Sequence, residues 1–202
     1  MILVGCEESQ VITKALRDAG YEAYSCDILP TRGNSDWHYQ EDIANVIPRR
    51  QWDMIILHPE CTEMAVCANG TYAYGKPQHQ ARLDAIEWTL ALWGLAKKHS
   101  SKVALENPAS VIWPHLRRAG AVVQFVQPWM FGHTETKKTG FALHGLPPLT
   151  ETENVFEEMQ ALPNKEKHRI WYMSPGENRS RDRSETYRGI ANAIVTQWGK
   201  LI

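Results

Sequence analysis

Cys61 stands in the stretch LHPECTEMAVC, just after an apolar run, and Glu106 stands in VALENPASV, at the end of another. A cysteine is a strong nucleophile only as a thiolate, and a loop at a strand end leaves it reachable. A carboxylate closing an apolar strand needs a partner or takes a raised pKa, because burying the charge alone is costly. A thiolate beside a carboxylic acid is equipment for adding a nucleophile across a conjugated heterocycle. The thiolate attacks carbon, and the acid holds the ring nitrogen where charge develops. Each residue also has a plainer reading. Cys61 can be a small buried side chain, and Glu106 can belong to a helix cap, since Asn107 and Pro108 suit a helix start. His58 and Cys67 would allow a metal beside Cys61, but the chain offers no second ligand cluster to close such a site, and no metal is expected.

Asp27 ends an apolar stretch, the position where many nucleotide-binding α/β proteins set an acid against ribose hydroxyls. Asp42 is suited to an adenine amino group, and both acids can equally be caps or turn residues. The first loop, GCEESQ, has one glycine and does not match G-x-G-x-x-G. A dinucleotide pyrophosphate, which needs close backbone approach at a helix amino terminus, is therefore disfavoured, and a ligand without phosphate fits better. Basic residues concentrate late: Lys137 and Lys138, then KEKHR, then ENRSRDRSETYR. Arg179, Arg181, Arg183 and Arg188 can meet phosphates, with Trp171 and Tyr172 to stack on bases. Intervening acids leave a solvated charged segment as the alternative.

The elements that must position these groups follow from periodicity. Met1 to Gly5 reads as a strand, Val11 to Ala19 as a helix stopped by Gly20, and Tyr21 to Cys26 as a second strand. This βαβ opening requires a parallel sheet. Pro30 to Gln40 reads as a loop, and Asp42 caps a short helix ending near Pro48. Trp52 to Leu57 is a strand buried on both faces, and His58 to Pro77 is a long loop, of a length that is usually functional or mobile. Gln80 to His99 is the clearest helix, with Leu83, Ile86, Leu90, Trp93 and Leu95 on or near its apolar face. Lys102 to Leu105 is a strand stopping at Glu106, and Ser110 to Arg118 a short helix interrupted by Pro114. Ala121 to Val126 is a strand, and Phe141 to His144 part of a late hairpin. Residues 155–184 read as charged and irregular, and Tyr187 to Leu201 as a closing amphipathic helix.

The pattern predicts a doubly wound α/β fold with a mostly parallel sheet, in which ligands bind at the carboxyl ends of the strands. Glu7, Asp27, Cys61 and Glu106 each follow a predicted strand directly or within a few residues. The length of 202 residues, with 43% hydrophobic and 22% charged residues, suits a single globular domain over 1–202. A formal net charge of −1 supplies no global field for nucleic acid, so any polyanion must meet a local patch. The start, MILVGCEESQ, is expected to be a strand and not a signal peptide. No apolar stretch approaches the ~20 residues of a membrane helix. The four cysteines show no paired metal spacing and no sign of an oxidising compartment, so a reduced, cytoplasmic setting is expected.

Taken in order, these pieces resemble the cytosine-C5 DNA methyltransferases, and more closely the short phage and prophage proteins of that type. GCEESQVITKALRDAGYEAYSCDI resembles the first two cofactor motifs, and QEDIANV the motif carrying an adenine-contacting Asp. WDMIILHPECT resembles the catalytic Pro-Cys loop, and LENPASV the Glu-Asn motif that binds cytosine. QPWMFGHTETKKTGFALHGLPPL is similar to the segment that follows in the short phage proteins, and RSETYRGIANAIVTQWG to the closing motif. The resemblance covers nearly the whole chain.

It implies a class I, Rossmann-like S-adenosylmethionine-dependent methyltransferase without a separate target recognition domain, encoded by a phage or prophage and acting in the bacterial cytoplasm. Cys61 would attack carbon 6 of cytosine while Glu106 contacts the ring nitrogen and exocyclic amine. Carbon 5 would then take the methyl group, and loss of its proton would release the thiolate. A duplex substrate would have to be flipped. The resemblance further implies Pro59, Asn107, Lys137, Lys138, Arg181 and Arg183 as substrate-binding residues. Gly5, Cys6, Glu7, Asp27, Ile28, Asp42, His58 and Asn192 would hold S-adenosylmethionine. Glu7 and Glu8 stand where the large enzymes have a glycine-rich turn, Glu60 replaces the usual proline before the cysteine, and no long insertion is present. Three readings follow: methylation of cytosine in duplex or single-stranded DNA, methylation of a free nucleotide such as deoxycytidylate, or a non-catalytic nucleic-acid or protein binding module.

Overall fold

The computed structural model describes residues 1–174, 176 and 179–202, apart from the side chains of Ser180 and Arg181. Its first half runs β1 (Ile2–Gly5), α1 (Val11–Asp18), β2 (Ala23–Asp27), β3 (His38–Gln40), α2 (Ile43–Val46), β4 (Met54–Leu57), α3 (Asn69–Tyr72) and α4 (His79–His99). There follow β5 (Val103–Pro108), α5 (Trp113–Arg118), β6 (Val122–Val126), β7 (Thr139–His144) and the short helices α6 (Phe156–Ala161), α7 (Asn164–Lys167), α8 (Arg169–Tyr172) and α9 (Arg179–Ser184). Helix α10 (Arg188–Trp198) closes the chain.

All seven strands form one sheet in the order β3-β2-β1-β4-β5-β7-β6. β1 pairs in parallel with β2 and β4, β4 in parallel with β5, and β7 runs antiparallel between β5 and β6. This is the doubly wound, mostly parallel, Rossmann-like α/β fold expected from the sequence. The strand order reverses between β1 and β4, which opens a crevice at their carboxyl ends.

The apolar runs ILVG and MIIL are continuous because helices cover both faces of the sheet. Successive side chains alternate between the faces. Ile2, Val4, Met54, Ile56 and Ala104 pack with α1 and α10, while Leu3, Ile55, Leu57, Val103 and Leu105 pack with α2, α4 and α5. Gly20, at φ 88, ends α1 by taking the left-handed turn that only glycine adopts freely. Among the described residues no helix is long and apolar enough to cross a membrane.

The structure departs from expectation in five places, one of them the short helix α3 inside the predicted loop at 58–77. The end of the predicted loop at 30–40 is the edge strand β3, paired in parallel with β2. β5 runs on through Glu106 and Asn107 to Pro108, because β7 offers those polar residues an antiparallel partner, Phe141 and Gly140. Within the segment predicted as irregular, 155–184, the described residues include the short helices α6 to α9. Finally, the buried residues of α4 are Arg82, Ile86, Thr89, Leu92, Trp93 and Ala96, with Leu90 and Leu95 partly buried against the same core, so of the predicted face only Leu83, 44% exposed, turns outward. Arg82, polar by type, takes a buried place that an apolar reading does not offer it.

Candidate functional site

The loop after β4 is sewn to the segment after β5. The backbone N–H of Ala65 donates to the Cys61 carbonyl at 2.8 Å, that of Val66 to Ala109 at 2.9 Å, and that of Val111 to Met64 at 3.0 Å. Arg82 reaches up from α4 beneath this loop, donating to the Glu63 carbonyl at 2.7 Å, Asn69 Oδ1 at 2.8 Å and the Ala65 carbonyl at 3.4 Å. A buried guanidinium satisfied by loop acceptors fixes the loop's path. Cys61 is thereby held half-buried where it lines a cavity of about 1130 Å³.

The rest of that lining carries the electrostatics. It includes Lys137, Lys138, Arg179 and Arg183, with Trp171 and Tyr172, and no acid among the described lining residues. In a chain of net charge −1, this is a local positive field. Burial pushes the Cys61 thiol up to about 11, with Glu106, Glu60 and Cys67 adding to the shift and Lys137 opposing it. The free protein therefore carries a thiol, and the nucleophile forms only when the proton leaves. Glu60 turns outward to accept a hydrogen bond from Thr62 Oγ1 at 2.8 Å, so it contributes less than burial and Glu106. Lys137 Nζ donates to the carbonyls of Glu185 at 3.0 Å and Ser184 at 3.5 Å. Burial lowers its pKa, while Glu106 and Cys61 pull it back up.

Glu106 points from β5 to His58, whose Nδ1 lies 3.2 Å from its Oε2; the two side chains are 12% and 11% exposed. Asn107, the next residue, is buried and donates from Nδ2 to the Pro59 carbonyl at 3.2 Å. The two strand ends are thus latched to each other beside the loop that carries Cys61. Two buried atoms of this group, His58 Nε2 and Asn107 Oδ1, have no hydrogen-bond partner among the described residues.

A second group forms at the carboxyl ends of β1 and β2. Gly5 has no room for a Cβ, which would lie 2.7 Å from Ile43 Cδ1. Cys6 and Gln10 adopt left-handed φ of 59° and 56°, rare for residues with side chains and typical of ligand-binding turns. Buried Gln10 holds the loop after β2, bonding Asn34 N at 2.7 Å and Ser25 Oγ at 2.8 Å. Burial raises the Cys6 thiol, and Asp27 and Asp42 raise it further, so these acids gather around Cys6. Asp27, itself raised by burial, accepts from Leu29 N at 2.9 Å, and Asp42 caps α2 through Ala44 N at 2.8 Å. Ile28, between Asp27 and Leu29, is 72% exposed, an apolar surface beside an acid.

Glu7 serves differently from the expectation. Its buried carboxylate accepts from Ile12 N at 2.6 Å, Thr13 N at 3.3 Å and Thr13 Oγ1 at 2.6 Å. The chain's own anion fills the amino terminus of α1, where a pyrophosphate would otherwise bind. Asn192 is also apart from the rest. It is exposed on α10 and lines a second cavity, of about 950 Å³, with Ser9 and Val11.

The structure therefore brings Cys61, Lys137, Lys138 and Arg183 to one cavity, latches Pro59 to Asn107 and His58 to Glu106, and groups Cys6 with Asp27 and Asp42. The side chain of Arg181 lies outside the described residues. Sequence reasoning missed Arg82 and Gln10. The signal for Arg82 was its place on the i, i+4, i+7 stripe with Ile86 and Thr89; Gln10 had none. All four cysteines are free thiols, and among the described residues no cluster of three His, Cys, Asp or Glu side chains gathers to hold a metal.

No protein-family model matches the chain, and no curated protein matches it. Among solved structures it is similar to an E. coli prophage-encoded protein described as a DNA modification methyltransferase, with TM-score 0.48 and 12% identity over 81% of this chain and 56% of that one. It is similar to the Entamoeba histolytica methyltransferase EhMeth, with TM-score 0.48 and 10% identity over 76% of this chain and 57% of that one. It is also similar to the S. pombe Dnmt2 methyltransferase, with TM-score 0.45 and 12% identity over 98% of this chain and 65% of that one. The chain spans less than two thirds of the length of each of these proteins.

Proposed function

We propose that this chain is an S-adenosylmethionine-dependent methyltransferase acting on carbon 5 of cytosine in DNA through a covalent adduct at Cys61. The observation that carries the reading is the cavity over Cys61: four cations, two exposed aromatic residues and no acid among its described lining. A free nucleotide needs its few phosphates met once, whereas this lining suits a backbone with several phosphates and unstacked bases.

The residues divide the chemistry between them. Cys61 gives its proton to solvent and adds as a thiolate to carbon 6 of the ring, and the electron pair of the 5,6 double bond moves into the ring system. Glu106, held by His58, hydrogen-bonds the ring nitrogen and stabilises the charge that reaches it. Lys137 stabilises the thiolate as it forms. S-adenosylmethionine would supply an electrophilic methyl group for carbon 5, its sulfur keeping the electron pair of the broken bond. The carbon 5 proton then passes to solvent, the electron pair re-forms the 5,6 double bond, and the Cys61–carbon 6 bond breaks to release the thiolate.

The residues around Cys6 fit that cofactor. Asp27 and Asp42 suit hydroxyl and amine donors, Ile28 offers an apolar face to a ring, and Glu7 already fills the one helix terminus where a phosphate would sit. The test is transfer of tritium from methyl-labelled S-adenosylmethionine to duplex DNA, single-stranded DNA and deoxycytidylate in parallel. Label is expected in DNA, and Cys61→Ser should lower it by about 10³-fold or more with cofactor affinity retained. Label in deoxycytidylate alone overturns the DNA reading. No label, with no cofactor binding by calorimetry, leaves a binding module.

A further inference from the structure

We propose that His58 is a positioning residue for Glu106, fixing one carboxyl oxygen so that the other faces the base. The inference rests on reading Glu106 as the group that holds the ring nitrogen.

Three observations place His58 in that role. Its backbone N–H donates to the Gly5 carbonyl at 2.9 Å, extending the β1–β4 pairing one residue past the strand ends and fixing the ring's origin. Its Nδ1 then meets Glu106 Oε2 at 3.2 Å across the β4–β5 boundary, with both side chains almost wholly covered. Its Nε2 is buried without a partner among the described residues. Of its two ring nitrogens only Nδ1 has a partner among the described residues, and that partner is Glu106.

The chemistry gives the contact its purpose. A glutamate carboxyl turns freely about its terminal bond, and in the absence of a second hydrogen bond its two oxygens are interchangeable. Held at Oε2, the group can present only Oε1 to a base lying over Cys61. A misplacement of about 1 Å at such a contact costs about 100-fold in rate. The other contacts at this strand end cannot substitute. Asn107 Nδ2 is committed to the Pro59 carbonyl, and Lys137 Nζ bonds the Ser184 and Glu185 carbonyls. The oxygens of Glu7 are taken by the amino terminus of α1.

Two variants and one spectrum test this in the full chain. His58→Leu should lower kcat by about 100-fold with the KM for S-adenosylmethionine within about twofold. His58→Asn, which places an amide near the Nδ1 position, should recover most of that loss. An Asn variant as impaired as the Leu variant would overturn the proposal, because the ring would then matter only for packing. A raised KM for S-adenosylmethionine with kcat unchanged would also overturn it, making His58 a cofactor ligand. Independently of turnover, ¹⁵N spectra of the histidine rings should show the His58 Nδ1 signal moving in Glu106→Gln. An unmoved signal would deny the contact itself. Wild-type protein inactive on every cytosine substrate would instead defeat the methyltransferase reading and leave the spectrum to decide whether His58 holds Glu106.

Discussion

With its thiol pushed up to about 11, Cys61 holds a thiolate fraction that rises about tenfold with each unit increase in pH up to that value. Alkylation of Cys61 by iodoacetamide, followed by tandem mass spectrometry, should therefore accelerate about 100-fold from pH 7 to pH 9. A rate that levels off below pH 9 would mean that the site already stabilises the thiolate in the free protein. Lys137 is the cation that opposes the upward shift, so Lys137→Met should slow alkylation at every pH in that range. An equal rate would remove Lys137 from the thiolate's surroundings. The sequence made Cys61 and Glu106 legible because each closes an apolar run, and the structure places both at the carboxyl edge of the sheet. It did not make legible which oxygen or nitrogen each neighbour would occupy. Glu7 looked like a ligand residue and is spent on capping α1, since nothing in GCEESQ distinguishes a carboxylate facing a ligand from one facing two backbone N–H groups.

The loop carrying Cys61 depends on elements that do not touch a substrate, and Arg82 is the clearest of them. Arg82→Met keeps the length and removes the donors to Glu63, Asn69 and Ala65. It should cost about 1–3 kcal/mol in urea denaturation, because buried loop acceptors lose their partner. It should also make the chain easier to cleave by protease within 61–69. Unchanged stability and unchanged cleavage would show that the loop holds itself. Element by element, the apolar strands β1 and β4 and the helix α1 were readable from pattern alone, since each carries a clean run or a clean 3.6-residue period. The extension of β5 through Glu106 was not, because it depends on β7, a partner over thirty residues further on. The place of Arg82 in the buried face of α4 was missed for a related reason. Arg82 is polar by type but inward by role, and tertiary hydrogen bonds decide that, not periodicity.

At the scale of the molecule, a chain with no net field of its own concentrates Lys137, Lys138, Arg179 and Arg183 around one opening. DNA affinity should then fall with salt at a log–log slope of about −3 for three or four neutralised phosphates, and Lys138→Ala should reduce that slope by about one. A flat salt dependence would contradict a DNA substrate. The basic residues were visible in the sequence but diluted by acids. Folding segregated them, as the helices α7 to α9 turn His168, Arg179 and Arg183 toward the cavity of Cys61. The account as a whole turns on a covalent bond between Cys61 and cytosine, and one measurement addresses that bond directly. An oligonucleotide carrying 5-fluorocytosine blocks the last step, since fluorine cannot leave carbon 5 as the proton does, and the adduct persists. With S-adenosylmethionine present, intact mass spectrometry should find the chain joined to the oligonucleotide plus one methyl group, with peptide mapping placing the link at Cys61. Absence of the adduct, or an adduct that survives Cys61→Ser, would contradict the account.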